Sequence, residues 1–267
     1  QASNRFGAAV IVGYNPLKSG EWQSAIDGCD AIVNLAGEPI AEKRWTPAQK
    51  RFMLESRQIG TEKIVEAIEK ATNKPPVLIN ASAIGYYGTS ETSKFDETSP
   101  AGSDFLAEVC TKWEAAAQAA SASGTRVVIL RLGIVLGENG GALGKMLAPF
   151  SAFVGGPIGS GKQWFSWIHR DDVVKLIVTA LTDPNMQGVY NATAPNPVTM
   201  TDFAQTLGTV MNRPSWLPVP NFALEALLGE GAIVVLQGQQ VTPKNTLAQG
   251  FEFQYPTLKP ALAAILG

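Results

Sequence analysis

The strongest constraint on what this chain can fold into is the regular alternation of short apolar runs with longer stretches of helical spacing. Four runs, Ala31 to Leu35, Val77 to Asn80, Val127 to Arg131 and Gly188 to Asn191, read as strands separated by helical segments. That alternation argues for βαβ units, and nearly continuous apolar strands argue for a parallel sheet covered by helices on both faces. The segment from Thr46 to Thr72 opens with a Thr-Pro start signal, places Ile64, Val65 and Ile68 on one face, and stops at Asn73, Pro75 and Pro76. A second helix, Ser103 to about Ala122, sets Phe105, Val109, Trp113 and Ala117 at four-residue steps and ends at Gly124. A further run, Ala8 to Tyr14, reads as a strand with no element before it to pair. Between Gly137 and Gly161 lie eight glycines and two prolines. This stretch and the one from Pro195 to Pro220 read as loops over a ligand site.

Charge and cysteine content narrow the function classes. Lys plus Arg total 21 against 23 Asp plus Glu, a net charge of −2, which lacks the basic signature of a nucleic-acid surface. The charged fraction of 16% is low against the roughly 25% of average domains, as expected of a sheet buried between two helix layers. No apolar run is long enough to predict a transmembrane segment, and the first residues, QASNRFG, lack the basic and apolar regions of a signal peptide. Cys29 and Cys110 are far apart within apolar patterns, which fits buried, reduced thiols in an intracellular compartment.

A glycine fingerprint between a first strand and its helix, the usual pyrophosphate cradle, is missing. Other pieces of a dinucleotide-binding chain are present in order: Asn34-Leu35-Ala36-Gly37 at a strand end, Arg57 to Thr61 as RQIGT, Arg131 to Gly137 as RLGIVLG, and Trp167 to Asp172 as WIHRDD. These resemble the NLAG turn, NxxGT, RxxNVYG and FIHVDD motifs of the extended short-chain dehydrogenase/reductase superfamily. AGEPI, ASAIGYYGTSET, GGPIGSGKQWFSWIH and LQGQQVTP further resemble its atypical, epimerase-family branch, whose cyanobacterial and plastid members are described as cell-division-inhibitor-like or plastid-division proteins.

The resemblance implies an α/β, Rossmann-like parallel sheet with helices on both faces and a small C-terminal substrate-side lobe. Residues 1–137 and 164–196 would form the dinucleotide-binding part, 138–163 and 197–255 the smaller lobe, and 256–267 a terminal helix. It also implies that a first strand, glycine-rich loop, helix and second strand precede Gln1 in family members. The cofactor implied is NADP, with NAD as the alternative, bound by Leu35, Ala36, Gly37, Arg57, Ala81, Ser82 and Val135.

Departures from the superfamily bear on chemistry. Its enzymes use a Tyr, four residues ahead of a Lys, as general acid/base. Registering the helix on Glu114 places Leu106 and Cys110 there, and neither can serve. The upstream catalytic Ser falls on Ser82 if Tyr86 is the family's Tyr, and on Ala83 if Tyr87 is. Ser82 is therefore the candidate catalytic residue, with a role in satisfying strand-end backbone as the alternative. Arg57 suits a cofactor phosphate or a stacked base, or else a solvated surface.

His169, Asp171 and Asp172 supply too few ligands for a metal site and read as a helix cap, so no metal is expected. A Ser-His-Asp hydrolase lacks its GxSxG elbow. Trp164, Phe165 and Trp167 read as core or pocket wall. Two functions stay open: a cofactor-binding regulator with a division-related protein partner, and a slow NADP-dependent oxidoreductase on an unidentified small molecule. Bacterial cytoplasm or chloroplast stroma is the expected location.

Overall fold

A computed structural model describes residues 10–138 and 140–267. The first half runs β1 (Ile32–Asn34), α1 (Pro47–Lys70), β2 (Val77–Ala83), β3 (Lys94–Phe95), α2 (Phe105–Gln118), β4 (Arg126–Leu132) and β5 (Ile134–Leu136). It continues through α3 (Gly141–Ser151), β6 (Trp164–Phe165), β7 (Trp167–His169), α4 (Arg170–Thr182) and β8 (Gly188–Ala192). The remainder is β9 (Val198–Thr199), α5 (Met200–Met211), α6 (Asn221–Leu228), α7 (Ile233–Leu236), β10 (Gln240–Val241), α8 (Lys244–Ala248) and α9 (Leu258–Leu266).

The main sheet has the order β1-β2-β4-β8, and all three pairings are parallel. Parallel neighbours require crossovers, and α1, α2 and α4 supply them. Helix α1 starts where Thr46 accepts a hydrogen bond from Gln49 N, with Pro47 in the first turn. Asp104 caps α2 through Ala107 N, and after a short 3-10 turn Gly124, at φ 84°, turns the chain into β4. Alternate strand residues face opposite layers. Leu78, Val127 and Ile129 pack with Ile64, Val65, Ile68 and Ala117 of α1 and α2. Val77, Ile79, Val128 and Leu130 pack with Val173, Leu176 and Ala180 of α4, and with Phe251. The expected α/β class with helices on both faces is the one observed.

A second core joins Leu143 and Phe150 of α3, Phe203 and Leu207 of α5, and Leu258, Leu262 and Ile265 of α9. Between α5 and α9 the chain comes back against β3 and β8. β10 pairs with β3, Asn245 Nδ2 donates to Val189 O, and Thr246 Oγ1 donates to Asn191 O.

Of the strand expected over Ala8 to Tyr14, no part forms over residues 10–14. Residues 8 and 9 lie outside the described residues, and 10–14 are irregular, with Val10, Ile11, Val12 and Tyr14 all exposed. A β-prone run gains little without a neighbour, and no strand among the described residues pairs with the outer edge of β1. Cys110 is buried and Cys29 half-buried, and both are free thiols.

Candidate functional site

On the α1/α2 side the aliphatic layer gives way to polar residues at the C-terminal ends of the strands. Asn34 lies beside Asn80 in register, and Ser82, Arg131 and Asn191 form one row across β2, β4 and β8. Asn34 Nδ2 donates to Asn80 Oδ1 at 2.6 Å and to Thr61 Oγ1 at 2.9 Å. This end of a parallel sheet is where α/β folds place ligands.

The row is organised by one buried ion pair. Arg131 donates through Nε and Nη2 to the two carboxylate oxygens of Glu114, both at 2.8 Å. Glu114 Oε1 also accepts the Ser82 hydroxyl at 2.6 Å. Arg131 Nη1 donates to the Tyr87 hydroxyl at 3.0 Å, which in turn donates to Asn191 Oδ1 at 2.7 Å. The face of the guanidinium lies 3.3 Å from the Tyr86 ring centroid. Pairing with Glu114 outweighs desolvation and holds the Arg131 pKa above its ordinary value. The Tyr87 pKa is raised as well but by a different cause: burial outweighs the nearby guanidinium and pushes its phenol up to about 12.

Six of the seven residues predicted from the sequence lie on or just after β1, on α1 and on β2. Leu35 is exposed at the end of β1, followed by half-buried Ala36 and exposed Gly37, while Ala81 and Ser82 are buried at the end of β2. Arg57 reaches from α1 across Gly37, where a Cβ would come within 2.8 Å of its guanidinium. Its Nη1 donates to Glu38 O at 2.9 Å and Met53 O at 3.1 Å. Desolvation lowers the Arg57 pKa, opposed by Cys110 and Glu38. Val135 sits half-buried on β5, paired with Ile168 of β7 in a separate two-stranded sheet.

Leu106 and Cys110 pack against Gly85, whose missing Cβ would lie 3.3 Å from Leu106 Cβ and 3.9 Å from Cys110 Sγ. Cys110 donates to Ala83 O, and burial, aided by Glu114, pushes its thiol up to about 11. His169 caps α4, its Nδ1 accepting from Asp171 N at 3.0 Å, while Asp172 accepts from Gln254 N and Tyr255 N. Among the described residues no group of His, Cys, Asp and Glu is arranged to hold a metal ion. Among them, too, no helix is long and apolar enough to cross a membrane. Sequence reasoning took Asn34 only as the first residue of its strand-end turn, and it did not single out Asn80 and Asn191 as site residues. Their signal is an amide at the end of an otherwise apolar strand, where nothing but a buried polar network satisfies it.

A parallel sheet with helices on both faces and this polar row defines a Rossmann-like α/β protein. The chain belongs to the NAD dependent epimerase/dehydratase family, whose model matches residues 2–193, and residues 219–265 match a domain of unknown function, DUF1731. It is 52% identical to the chloroplastic epimerase family protein SDR39U1 homolog of Arabidopsis thaliana, over 100% of this chain and 77% of that one. The crystal structure of human epimerase family protein SDR39U1 (isoform2) with NADPH is similar at TM-score 0.86 and 42% identity, covering 89% of this chain and 82% of that chain. A nucleoside-diphosphate sugar epimerase from Corynebacterium glutamicum matches at TM-score 0.77 and 32% identity, over 96% of this chain and 49% of its own.

Proposed function

We propose that this chain binds a nicotinamide dinucleotide, NADP ahead of NAD, over the C-terminal ends of β1, β2 and β4, and serves as a cofactor-binding regulator of cell or plastid division. The NADPH in the human relative's crystal supports the cofactor. So does the fit of the residues present: bare backbone at Gly37 and a guanidinium beside it suit close approach of an anionic ligand. The bound group would supply a hydride. Leu35, Ala36, Gly37, Ala81, Ser82 and Val135 would position it, and Arg57 would meet its charge.

The observation that carries the regulatory reading is the packing of Leu106 and Cys110 against Gly85. A hydrocarbon cannot exchange a proton, and a thiol near 11 stays neutral at working pH. Ser82, the candidate catalytic residue, commits its proton to Glu114, which suits alignment of the strand end more than proton delivery. Occupancy would then act on a division-related protein partner, in bacterial cytoplasm or chloroplast stroma. A slow NADP-dependent oxidoreductase acting on a small molecule is the second reading, favoured by the glycine-rich loops from Val135 to Trp164, for which a pure scaffold has no evident need. Titrating NADPH and NADH into the full-length protein by nicotinamide fluorescence tests the cofactor. Micromolar NADPH binding without oxidation across a carbonyl panel supports regulation, brisk oxidation supports the enzyme, and failure of both dinucleotides to bind removes either reading.

A further inference from the structure

Helix α6, NFALEALL over Asn221–Leu228, is built inside out. Helical periodicity puts Phe222, Ala223, Ala226 and Leu227 on one face and Leu224 and Leu228 on the other. Leu224 and Leu228 are half-buried, while all four residues of the first face are exposed, Phe222 by 73% and Leu227 by 70%. A surface helix ordinarily turns its apolar stripe to the core. Here the solvent face is the apolar one, and the one charge of the helix, Glu225, lies off it.

The apolar surface continues beyond the helix. The chain leading into α6 runs alongside the turn that follows α3: Leu217 N donates to Gly155 O at 3.1 Å, and Val219 N donates to Pro157 O at 2.9 Å. This ladder brings Trp216 and Leu217 beside Phe153 and Val154, and all four are exposed, Trp216 by 68%. Phe153 is held at φ 63°, a conformation disfavoured for a bulky residue, with its ring out in water.

Cations border this surface without matching acids. The Arg213 guanidinium lies 4.5 Å from the Phe153 ring centroid; its Nε has no hydrogen-bond partner among the described residues, and its Nη1 donates to Asn212 O. Arg44 Nη1 donates to Ala226 O of α6 and Lys145 Nζ of α3 to Ala41 O, both at 3.1 Å, and each keeps further N–H donors. No Asp or Glu occurs from Gly140 to Arg170 or from Phe203 to Leu224, stretches that carry Lys145, Lys162, Arg170 and Arg213 in a chain of net charge −2.

We propose that this face docks on an anionic lipid bilayer, with α6 lying flat in the interfacial layer and Phe153 and Trp216 inserted beside it. A bilayer surface supplies both halves of the match, an apolar layer for the aromatic and aliphatic side chains and negative headgroups for the cations. A second copy of the chain would set the same cations against each other. Side chains as exposed as Phe222, Leu227 and Trp216 project from the surface, which suits insertion into lipid better than capture of a peptide in a groove. The docking is independent of the cofactor reading.

The test floats the full-length protein with vesicles of phosphatidylcholine alone and of an equal mixture with phosphatidylglycerol, reading the bound fraction and tryptophan emission. Binding to the anionic vesicles, weakened by salt and at least about tenfold poorer on phosphatidylcholine alone, is expected. Phe222→Ser with Leu227→Ser alters only exposed side chains, so the fold should persist while affinity falls at least about tenfold. Arg213→Gln and Lys145→Gln should each lose about fivefold on anionic vesicles. Trp216→Phe should still bind but lose most of the blue shift in emission that insertion brings. Equal binding to both kinds of vesicle, or affinity unchanged in the folded serine variant, overturns the proposal. So does an absence of binding to anionic vesicles: a monomeric chain would then leave the face to a protein partner, and a dimer that the serine variant splits would assign it to a second copy.

Discussion

At the scale of single residues, Glu114 and Arg131 determine how the polar row stands. The pair is bidentate and buried, so Glu114→Ala would strand a guanidinium in the interior, a loss of about 3 to 5 kcal/mol by the usual cost of breaking such a pair. Urea unfolding of the variant checks this, and a change under about 1 kcal/mol would show that water replaces the carboxylate. Arg57→Ala should weaken NADPH binding by about 1.5 to 3 kcal/mol, the size of a charge-assisted contact, with a smaller effect on stability. Unchanged affinity would leave Arg57 as a clasp for Glu38 O and Met53 O and nothing more. Cys110, with its thiol near 11, should resist iodoacetamide in the native protein at neutral pH and react only after denaturation. Rapid labelling of the folded chain would contradict the burial that sets its pKa.

Among the elements, α4 carries a pH dependence in its cap. His169 must be neutral for Nδ1 to accept from Asp171 N, and it is only 4% exposed. Burial holds its pKa below the ordinary 6.5, against the pull of Asp171 and Asp172. The unfolded chain therefore takes up a proton at higher pH than the native one. The stability due to the neutral cap is fully present above about 6.5 and is lost as pH falls below it toward the lower folded value. His169→Asn keeps a cap acceptor without titrating, so its urea midpoint should fall less than that of the wild type between neutral pH and pH near 5.5. Parallel declines in the two proteins would place the acid sensitivity elsewhere.

The whole molecule sets the chemistry available to the crevice. With Leu106 and Cys110 in place of a proton-exchanging pair, a factor of about 10²- to 10⁴-fold in general acid/base catalysis is missing. Incubated with NAD or NADP and a panel of sugar nucleotides, the full-length protein should turn over well below about 1 per second, and Cys110→Ala should leave any residual rate unchanged. Ordinary enzymatic rates would mean that another group supplies the proton. Tyr87 is poorly suited, since its hydroxyl is buried between Arg131 and Asn191 and its phenol is pushed up to about 12.

By itself the sequence determined the parallel α/β architecture, because strand runs and helical spacing are local patterns and each helix carries its own start and stop. Thr46-Pro47, Asp104 and Gly124 all act within a few residues of where they stand. It also brought Leu35 to Gly37, Arg57 and Ser82 to one end of the sheet, since strand ends in a parallel sheet share an edge. What it did not determine is pairing across long separations. Whether Ala8 to Tyr14 forms a strand depends on a neighbour, and over 10–14 the run lies exposed. The partners of Ser82, Tyr87 and Asn191 lie 32 residues away at Glu114 and 104 residues apart from each other. Lys50 meets Glu230 across 180 residues. Such contacts are decided by which faces the tertiary packing brings together, since a side chain's charge and shape fix what it can bind and only the fold fixes what it meets.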